Sequence, residues 1–340
     1  MKLIQCPVGE AAGAILAHSV KGAAFTLKKG HLLAPEDIER LKRAGCTSLT
    51  VARTDPGDVG ENVAAARLAE ILKGPNIHRD EAFTGRCNLK STTHGLLVAE
   101  RRSIDQINLI HEAVTLATLE PLTAVQPGQL VATVKIIPFA VPGEILAVCE
   151  REAAAAAPVL KIAPFQPKRA GFIQTILPGI QDSMLNKTTR VLRRRLDAVQ
   201  ASLEMELHCP HDETELERAL RQLLDLDLDL IIVVGASAVI DRNDVIPAAI
   251  TRSGGEILHF GMPVDPGNLL LLGRHGRRPV LGMPGCARSP SQNGFDWVLE
   301  RLAAGLPLTA RDIMLLGSGG LLKEIGTRPQ PRLGDSEPLT

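Results

Sequence analysis

The sequence of 340 residues is poor in aromatic side chains, since it contains seven Phe, one Trp and no Tyr. The absence of tyrosine excludes catalysis by a tyrosine hydroxyl. So few rings also argue against the aromatic platforms on which single-stranded nucleic acid or flipped bases stack. Net charge is absent too, because 38 Lys and Arg balance 38 Asp and Glu, which disfavours a polyanion-binding surface. We therefore expect no nucleic-acid partner.

Paired cysteines and long apolar runs are also missing. The six cysteines include no Cys-x-x-Cys pair, which disfavours structural zinc or iron–sulfur ligation and indicates free thiols in a reducing compartment. No apolar run approaches the ~18 residues of a membrane span, and Pro7 and Gly9 interrupt the N-terminus before a signal peptide forms. We expect a cytoplasmic protein with no membrane partner.

Aliphatic residues are abundant, and hydrophobic residues make up 45% of the chain. The length predicts about two domains of ~150 residues each. Short elements between strong turns predict an α+β accessory domain over residues 1–151, in which a Ser103-x-x-Gln106 capping box begins a helix that extends to Val114. The Ala- and Pro-rich stretch 152–168 is the predicted linker.

The pattern becomes regular over residues 169–320, where strands alternate with helices. The apolar strand Leu230–Val234, for example, precedes a helix over 244–252. This alternation predicts βαβ crossovers and hence a three-layer α/β/α domain with a mainly parallel sheet. A polar C-terminal tail is expected over 321–340.

Three loops rich in Gly and Pro follow strands of this sheet, and an open parallel sheet binds its ligands outside the carboxyl ends of its strands. They read VVGASAVIDRNDVIP, GMPVDPGNLLLLG and VLGMPGCARSPSQNGFDW. Amide-rich loops that lead into helices suit a phosphate or another anion. Taken singly, each glycine is as well explained by a turn and Asp244 by a helix cap. None of the loops fits a P-loop or a standard dinucleotide motif.

Two other clusters allow more than one interpretation. His208, Cys209, His211 and Asp212 are compatible with a transition-metal site, but the chain offers no distant pair of ligands, so surface histidines are the alternative. The run 193–195 of three arginines either contacts phosphate or forms a solvated helix face.

In combination and order, the C-terminal motifs resemble a known family. A strand ending in GAS, the sequence D-V-I-P-A-A, the segment GGEILHFGMPVDPGN and the loop G-M-P-G-C-A are similar to the molybdopterin-binding domain of late molybdenum-cofactor synthesis. The similarity covers about residues 170–318. The segment that begins at Lys28 also resembles the accessory region of molybdopterin molybdotransferases. Proteins that fuse such a domain to a nucleotidyltransferase are similar in their N-terminal portion.

The resemblance implies roles for individual residues. The loop before a helix would hold the pterin phosphate through Asn186, Lys187 and Thr188. Asp212 and Asp244 match acidic positions and are the expected catalytic residues, and Asp244 and Asp182 would hold Mg²⁺. Further contacts to the ligand are expected from Gly235, Ala236, Ser237, Pro266, Gly267, Gly282, Pro284, Gly285 and Ser289.

Several positions depart from the family pattern. Asp265 and Asn268 replace two lysines, Cys286 replaces an asparagine, and Asp182 is the only carboxylate near the strand end TILPGIQDS. Losing these charges weakens the steering of a triphosphate or molybdate. The departures therefore favour binding over catalysis.

The resemblance thus implies a protein that binds molybdopterin or the molybdenum cofactor in late biosynthesis or maturation. One alternative is an active Mg²⁺-dependent molybdopterin adenylyltransferase or molybdotransferase that uses a nucleotide. The other is a non-catalytic scaffold for a separate cofactor nucleotidyltransferase. Expected partners are the small pterin ligand, such a nucleotidyltransferase or a molybdoenzyme chaperone, and further copies of the chain in a homo-oligomer.

Overall fold

A computed structural model of the chain describes residues 1–322. The chain divides into two compact units, Met1–Pro164 and Phe165–Thr340. Within the described residues, none of the helices combines the length and the apolar character needed to cross a membrane. All but the first two residues of the predicted tail 321–340 lie outside the described part of the chain.

The first unit combines short helices and strands, as predicted for an α+β region. Its helices are α1 (Pro35–Arg43), α2 (Glu61–Leu72), α3 (Arg101–Ile110) and α4 (Gly143–Ala155). Its strands are β1 (Lys2–Pro7), β2 (Ile15–Leu16), β3 (Val20–Lys21), β4 (Thr26–Leu27), β5 (Ser48–Arg53), β6 (Asp58–Gly60), β7 (Ile77–Arg79), β8 (Arg86–Ser91), β9 (Gly95–Ala99), β10 (Val114–Thr118), β11 (Ala124–Val125), β12 (Leu130–Ile136), β13 (Ala140–Pro142) and β14 (Leu160–Pro164). They form small antiparallel sheets, and the largest has the order β10-β12-β8-β7.

Two apolar clusters stabilise this unit. One joins α1 to β1 and β5 and includes Leu41 and Val51. The other packs α2 to α4 against the largest sheet and includes Leu68 and Val134. Helix α1 begins with Pro at its first position, and the Asp37 carboxylate accepts a hydrogen bond from the amide of Ala34 (3.1 Å), so the first turn is capped from within.

One expectation for the first unit is wrong in its secondary structure. Helix α3 ends at Ile110, and Val114 instead begins β10, where it pairs with Ile136. The predicted linker 152–168 includes the end of α4 and strand β14, which pairs with β9. Alanine favours helix, and prolines are tolerated at the ends of an edge strand. A stretch rich in Ala and Pro can therefore form a helix end and an edge strand as well as a linker. The predicted domain boundaries themselves stay a prediction.

The second unit is built on one six-stranded sheet. Its strands are β15 (Lys168–Ile176), β16 (Ala201–Pro210), β17 (Leu230–Val234), β18 (Glu256–Phe260), β19 (Leu271–His275) and β20 (Arg278–Met283). Its helices are α5 (Asp182–Ala198), α6 (Glu213–Leu224), α7 (Val245–Arg252), α8 (Gly294–Ala303) and α9 (Ala310–Met314). The strand order is β16-β15-β17-β20-β19-β18, in which β19 runs antiparallel to both of its neighbours and the other five strands run in one direction.

Helices cover both faces of this sheet. Ile173 of β15 and Ile231 of β17 belong to one apolar cluster with α6 and α7. Successive residues of a strand point to opposite faces, and Gln174 accordingly contacts α5 through the carbonyl of Leu185 (3.2 Å). Helix α8 lies beside α5, to which it is joined by the ion pair Arg195–Asp296. The predicted three-layer domain with a mainly parallel sheet is therefore confirmed.

Candidate functional site

The carboxyl edge of the sheet is where the predicted loops meet. In the described part of the chain five loops lie there, because β15, β16, β17, β18 and β20 all end at this edge. The loops comprise residues 177–181, 211–212, 235–244, 261–270 and 284–293. Ligands of open parallel sheets bind at such an edge, so the partners of each loop residue decide what the edge can bind.

A tight turn follows β17. Gly235 is buried, and a Cβ there would lie 2.5 Å from the carbonyl oxygen of Ser237, so this turn excludes any side chain at Gly235. The amide of Ala236 donates to the hydroxyl of Thr175 (2.8 Å), which is also hydrogen-bonded to His211 (2.8 Å). The Ala236 amide, predicted to hold the ligand, is thus used in a hydrogen bond within the protein. Ser237 is exposed.

Arg288, in the loop after β20, was not among the predicted site residues. Its guanidinium donates to the hydroxyl of Thr188 on α5 (3.2 Å) and to the carbonyl of Gly235 (2.9 Å), and so joins three elements of the edge. Burial lowers the pKa of this guanidinium from its ordinary value. Within residues 1–322 no carboxylate forms an ion pair with it. The sequence shows an arginine in a loop that follows a strand. It does not show that this arginine has no carboxylate partner among the described residues.

Arg195 holds the same loop from the other side. It pairs with Asp296 of α8 and donates to the carbonyls of Ala287 (3.0 Å), Ser289 (2.9 Å) and Ser291 (2.9 Å). Both interpretations of the run 193–195 are therefore wrong for Arg195, which is a structural residue. The predicted ligand residue Ser289 also contributes its hydroxyl to a contact with the Ser291 hydroxyl (3.2 Å).

A cavity of about 330 Å³ lies between α5 and α8, beside this ion pair. Its charged lining comprises Arg194, Arg195, Asp296 and Glu300. Burial, together with the neighbouring Asp296 carboxylate, raises the pKa of Glu300 to about 7. The cavity therefore holds a carboxyl group whose charge changes near neutral pH.

The two predicted catalytic carboxylates cap helices. Asp212 Oδ1 accepts hydrogen bonds from the amides of Thr214 (2.8 Å) and Glu215 (3.1 Å) at the start of α6. Asp244 Oδ1 accepts from the amide of Val245 (2.7 Å) at the start of α7, and its Oδ2 accepts from Ile240 (3.1 Å). Both side chains thus have the ordinary role of an N-cap.

The start of α8 is occupied by the loop 261–270. The carbonyl of Pro266 accepts a hydrogen bond from the amide of Gly294 (2.8 Å), and a Cβ on Gly267 would lie 2.9 Å from that amide nitrogen. Pro266 and Gly267 thus pack against a helix terminus. Asn293 caps the next amide, that of Phe295 (3.0 Å).

Gly282, at the end of β20, and Gly285, in the loop after it, have different surroundings. Gly282 lies within β20, where a Cβ would lie 2.7 Å from Cβ of Leu271. It therefore serves strand packing. Pro284 is buried, whereas Gly285 is exposed, with open space where a side chain would be. Of these three predicted ligand residues, Gly285 is the one that presents its backbone to solvent.

The predicted phosphate loop at 186–188 is wrong in its secondary structure, since these residues lie inside α5. The hydroxyl of Thr188 donates to the carbonyl of Met184 (2.9 Å) one turn earlier. The helix begins at Asp182, and its N-cap Gln181 provides no side-chain hydrogen bond to the first turn. The amides of a helix that lack internal partners belong to its first turn, so at α5 they precede Asn186 and Lys187.

A polar network fixes α5 to the sheet. The Glu206 carboxylate accepts hydrogen bonds from Thr189 (2.6 Å) and Gln174 (2.9 Å) and contacts His208 (2.9 Å). Although burial opposes it, these hydrogen bonds lower the pKa of Glu206. Among the described residues, Gln174 Oε1 is a buried polar atom without a hydrogen-bond partner. In this network the partner of His208 is the Glu206 carboxylate.

A preformed metal site is not found in the part of the chain that the structure describes. Within it, no three His, Cys, Asp or Glu side chains come together as ligands. Burial, with Glu215 and Asp212 nearby, raises the pKa of the Cys209 thiol to about 11, so this thiol is protonated at neutral pH and is a poor ligand. Both oxygens of Asp244 are engaged by amides. Asp182, the other predicted Mg²⁺ ligand, is exposed at the start of α5, and neither carboxylate belongs to a cluster of three ligands among the described residues.

Fold and edge together define a three-layer α/β domain with an amide-rich ligand edge. Residues 174–304 match a family described as "Probable molybdopterin binding domain". This match confirms, for residues 174–304, the resemblance to a molybdopterin-binding domain seen in the motifs. Residues 5–53 match a family described as a domain of unknown function. No curated protein matches the sequence.

Solved structures similar to the chain include three proteins. One is the molybdopterin biosynthesis protein MoeA of Pyrococcus horikosii, with 12% identity, a TM-score of 0.28, and coverage of 92% of this chain and 75% of that one. MoaB of Thermus thermophilus, a molybdopterin biosynthesis enzyme, has 19% identity, a TM-score of 0.30, and coverage of 41% and 98%. CinA of Thermoplasma acidophilum, of unknown function, has 13% identity, a TM-score of 0.31, and coverage of 44% and 99%.

Proposed function

We propose that this protein binds molybdopterin, or the molybdenum cofactor formed from it, at the carboxyl edge of the second unit during late cofactor biosynthesis. The observation that carries the proposal is that the match to the molybdopterin-binding family, residues 174–304, includes all five edge loops. The domain's ligand and the fold's usual ligand edge therefore coincide in one region.

The edge offers contacts for both ends of such a ligand. Its cation Arg288 and the uncapped start of α5 suit an anionic group, since helix N-termini and arginines both favour phosphate. Exposed aliphatic side chains, Leu177, Met184 and Ile240, lie in the same loops and first turn. A flat pterin would pack on these side chains, because no aromatic ring is available in the loops.

Binding without catalysis is the form of the proposal that the side chains support. Asp212 and Asp244, the carboxylates expected to act in transfer, are hydrogen-bonded to helix amides. An adenylyltransferase or molybdotransferase would need these carboxylates at the reacting groups. The scaffold role, the nucleotidyltransferase or chaperone partner, self-association and a cytoplasmic location stay predictions from the sequence.

Equilibrium binding tests the proposal. Molybdopterin released anaerobically from a molybdoenzyme is titrated calorimetrically into the full chain, with and without Mg²⁺. The exposed loop residue Ser237 is changed to Trp to fill the edge, and Gln222→Trp, at an exposed position of α6, is the matched control. We expect Ser237→Trp to abolish binding and Gln222→Trp to retain it.

Two results would contradict the proposal. Absence of binding to the unchanged chain would reject molybdopterin as the ligand, and equal affinity of both variants would reject the carboxyl edge as the site. Mg²⁺-dependent turnover of molybdopterin with ATP, or of adenylated molybdopterin with molybdate, would instead establish the enzyme alternative.

A further inference from the structure

Arg288 is a partly buried cation that the fold holds in place without neutralising it. Its two hydrogen bonds go to uncharged acceptors, the Thr188 hydroxyl and the Gly235 carbonyl. Burying an unpaired charge costs free energy. Arg195, on the other side of the same loop, has the carboxylate of Asp296 as its partner. Arg288 therefore lacks the counter-charge that Arg195 of α5, a structural arginine, has in Asp296.

The position of Arg288 suits an anion at the carboxyl edge. Its two partners lie on α5 and in the turn after β17, so the guanidinium is held between two strand-end elements. A guanidinium has five N–H groups, and these two bonds leave three of them for a ligand. Planar forks of this kind bind the oxygens of phosphate in pairs.

Two of the three carboxylates predicted for catalysis or Mg²⁺ binding are engaged as helix caps, and the third, Asp182, lies exposed at the start of α5. Asp212 and Asp244 cap α6 and α7, and no cluster of metal ligands exists within residues 1–322. A divalent cation between protein and phosphate needs carboxylate oxygens from the protein. Among the described residues, this edge therefore offers a phosphate one protein cation, Arg288, and no preformed cluster of metal ligands.

We propose that Arg288 binds the phosphate group of the ligand directly, so that the site takes a phosphomonoester without a bridging divalent cation. This inference rests on the proposed function for the rest of the ligand, the pterin. It makes Arg288 the specificity-determining residue for the anionic end of the ligand.

The test measures the affinity of the full chain for molybdopterin by calorimetry, in EDTA and in Mg²⁺. The variants are Arg288→Gln and Arg288→Lys, and Arg193→Gln, an exposed residue of α5, is the control. Removing a charge-assisted hydrogen bond is expected to weaken binding about 10- to 100-fold in Arg288→Gln. Arg288→Lys is expected to lie between the two, Arg193→Gln to match the unchanged chain, and EDTA to have no effect.

Inorganic phosphate is the second probe and needs no pterin. We expect it to raise the thermal midpoint of the unchanged chain and of Arg193→Gln, but not of Arg288→Gln. Arg288→Gln with unchanged molybdopterin affinity, or loss of binding in EDTA, would overturn the inference and leave the proposed function standing. Absence of molybdopterin binding, with phosphate stabilisation that still depends on Arg288, would reject the proposed function and retain the anion site.

Discussion

Two regions of the second unit each contain a partly buried arginine, but the two arginines differ in their partners. In the contact between α5 and α8, called here the α5–α8 seam, Arg195 has a carboxylate and three carbonyls as partners. At the carboxyl edge, Arg288 has two uncharged partners. The difference teaches that burial alone does not separate a structural charge from a ligand-binding one. The number and charge of its partners do.

The largest expected effect is at the α5–α8 seam. Arg195→Met leaves Asp296 as a buried, unpaired carboxylate and the loop carbonyls without donors, and we expect a loss of about 3–5 kcal/mol in the free energy of unfolding. Urea denaturation measures it, and the chain's single tryptophan, Trp297 of α8, reports the second unit. Arg193→Met is the exposed control. A loss below about 1 kcal/mol in Arg195→Met would show that Arg195 is no more important for folding than Arg288, and would contradict the difference between the seam and the carboxyl edge.

Glu300, in the seam cavity, is expected to make stability depend on pH. Burial and Asp296 raise its pKa to about 7 from 4.5, while Arg194 and Arg195 are the cations of the lining. Between these values the native state retains a proton that the unfolded state has lost, so the free energy of unfolding falls as pH rises from about 4.5 to 7. The expected loss is about 2–3 kcal/mol after allowance for partial exposure.

Glu300→Gln isolates that contribution. The amide does not titrate, so the variant should match the unchanged chain at pH 5 and exceed it in stability at pH 8. Urea midpoints measured across this range provide the comparison. Parallel curves for the two proteins would show that Glu300 titrates normally and that the cavity is wetter than its lining indicates.

Asp212→Ala distinguishes a cap from a catalytic group at the carboxyl edge. Loss of the two amide hydrogen bonds at the start of α6 is expected to cost about 1 kcal/mol. Asp212→Asn should restore most of it, because asparagine is an equally good N-cap, and molybdopterin affinity should not change in either variant. A large change in molybdopterin affinity without a change in the free energy of unfolding would show that Asp212 takes part in ligand binding.

Arg288→Gln is expected to have the smallest effect on folding. The variant loses two hydrogen bonds but also removes an unpaired buried charge, so the free energy of unfolding should change by less than about 1 kcal/mol. Trp297 fluorescence in urea, recorded beside Arg195→Met, measures it. If Arg288→Gln destabilises the unit as much as Arg195→Met does, Arg288 is a structural residue.

Most of the second unit's architecture was predictable from local patterns. The apolar strand Leu230–Val234 was predicted at the observed bounds, and the helix predicted over 244–252 is α7, Val245–Arg252. Errors arose where one composition suits two structures. Residues 186–188 resemble a polar loop, yet they lie inside α5, which begins at Asp182 and already buries Leu185.

The candidate site was predictable as a place but not as a set of contacts. Gly235 and Ser237 were expected at the edge and lie there, and the edge follows from parallel strands alone. The roles of Ala236, Gly282 and Pro266 were not predictable, because their partners are Thr175, Leu271 and Gly294. Residues distant in sequence decide whether an amide or a glycine is left for a ligand.

By itself, the sequence determined the alternation of strands and helices, the parallel sheet and the edge at which its loops end, since these depend on local hydrophobic pattern and turn residues. Only the tertiary structure decided which polar groups of that edge remain available. Arg195 meets Asp296 across 101 residues, and Arg288 meets Gly235 across 53. Hydrogen bonds and ion pairs act over a few ångströms, so the chain must fold before a charge has, or lacks, its partner.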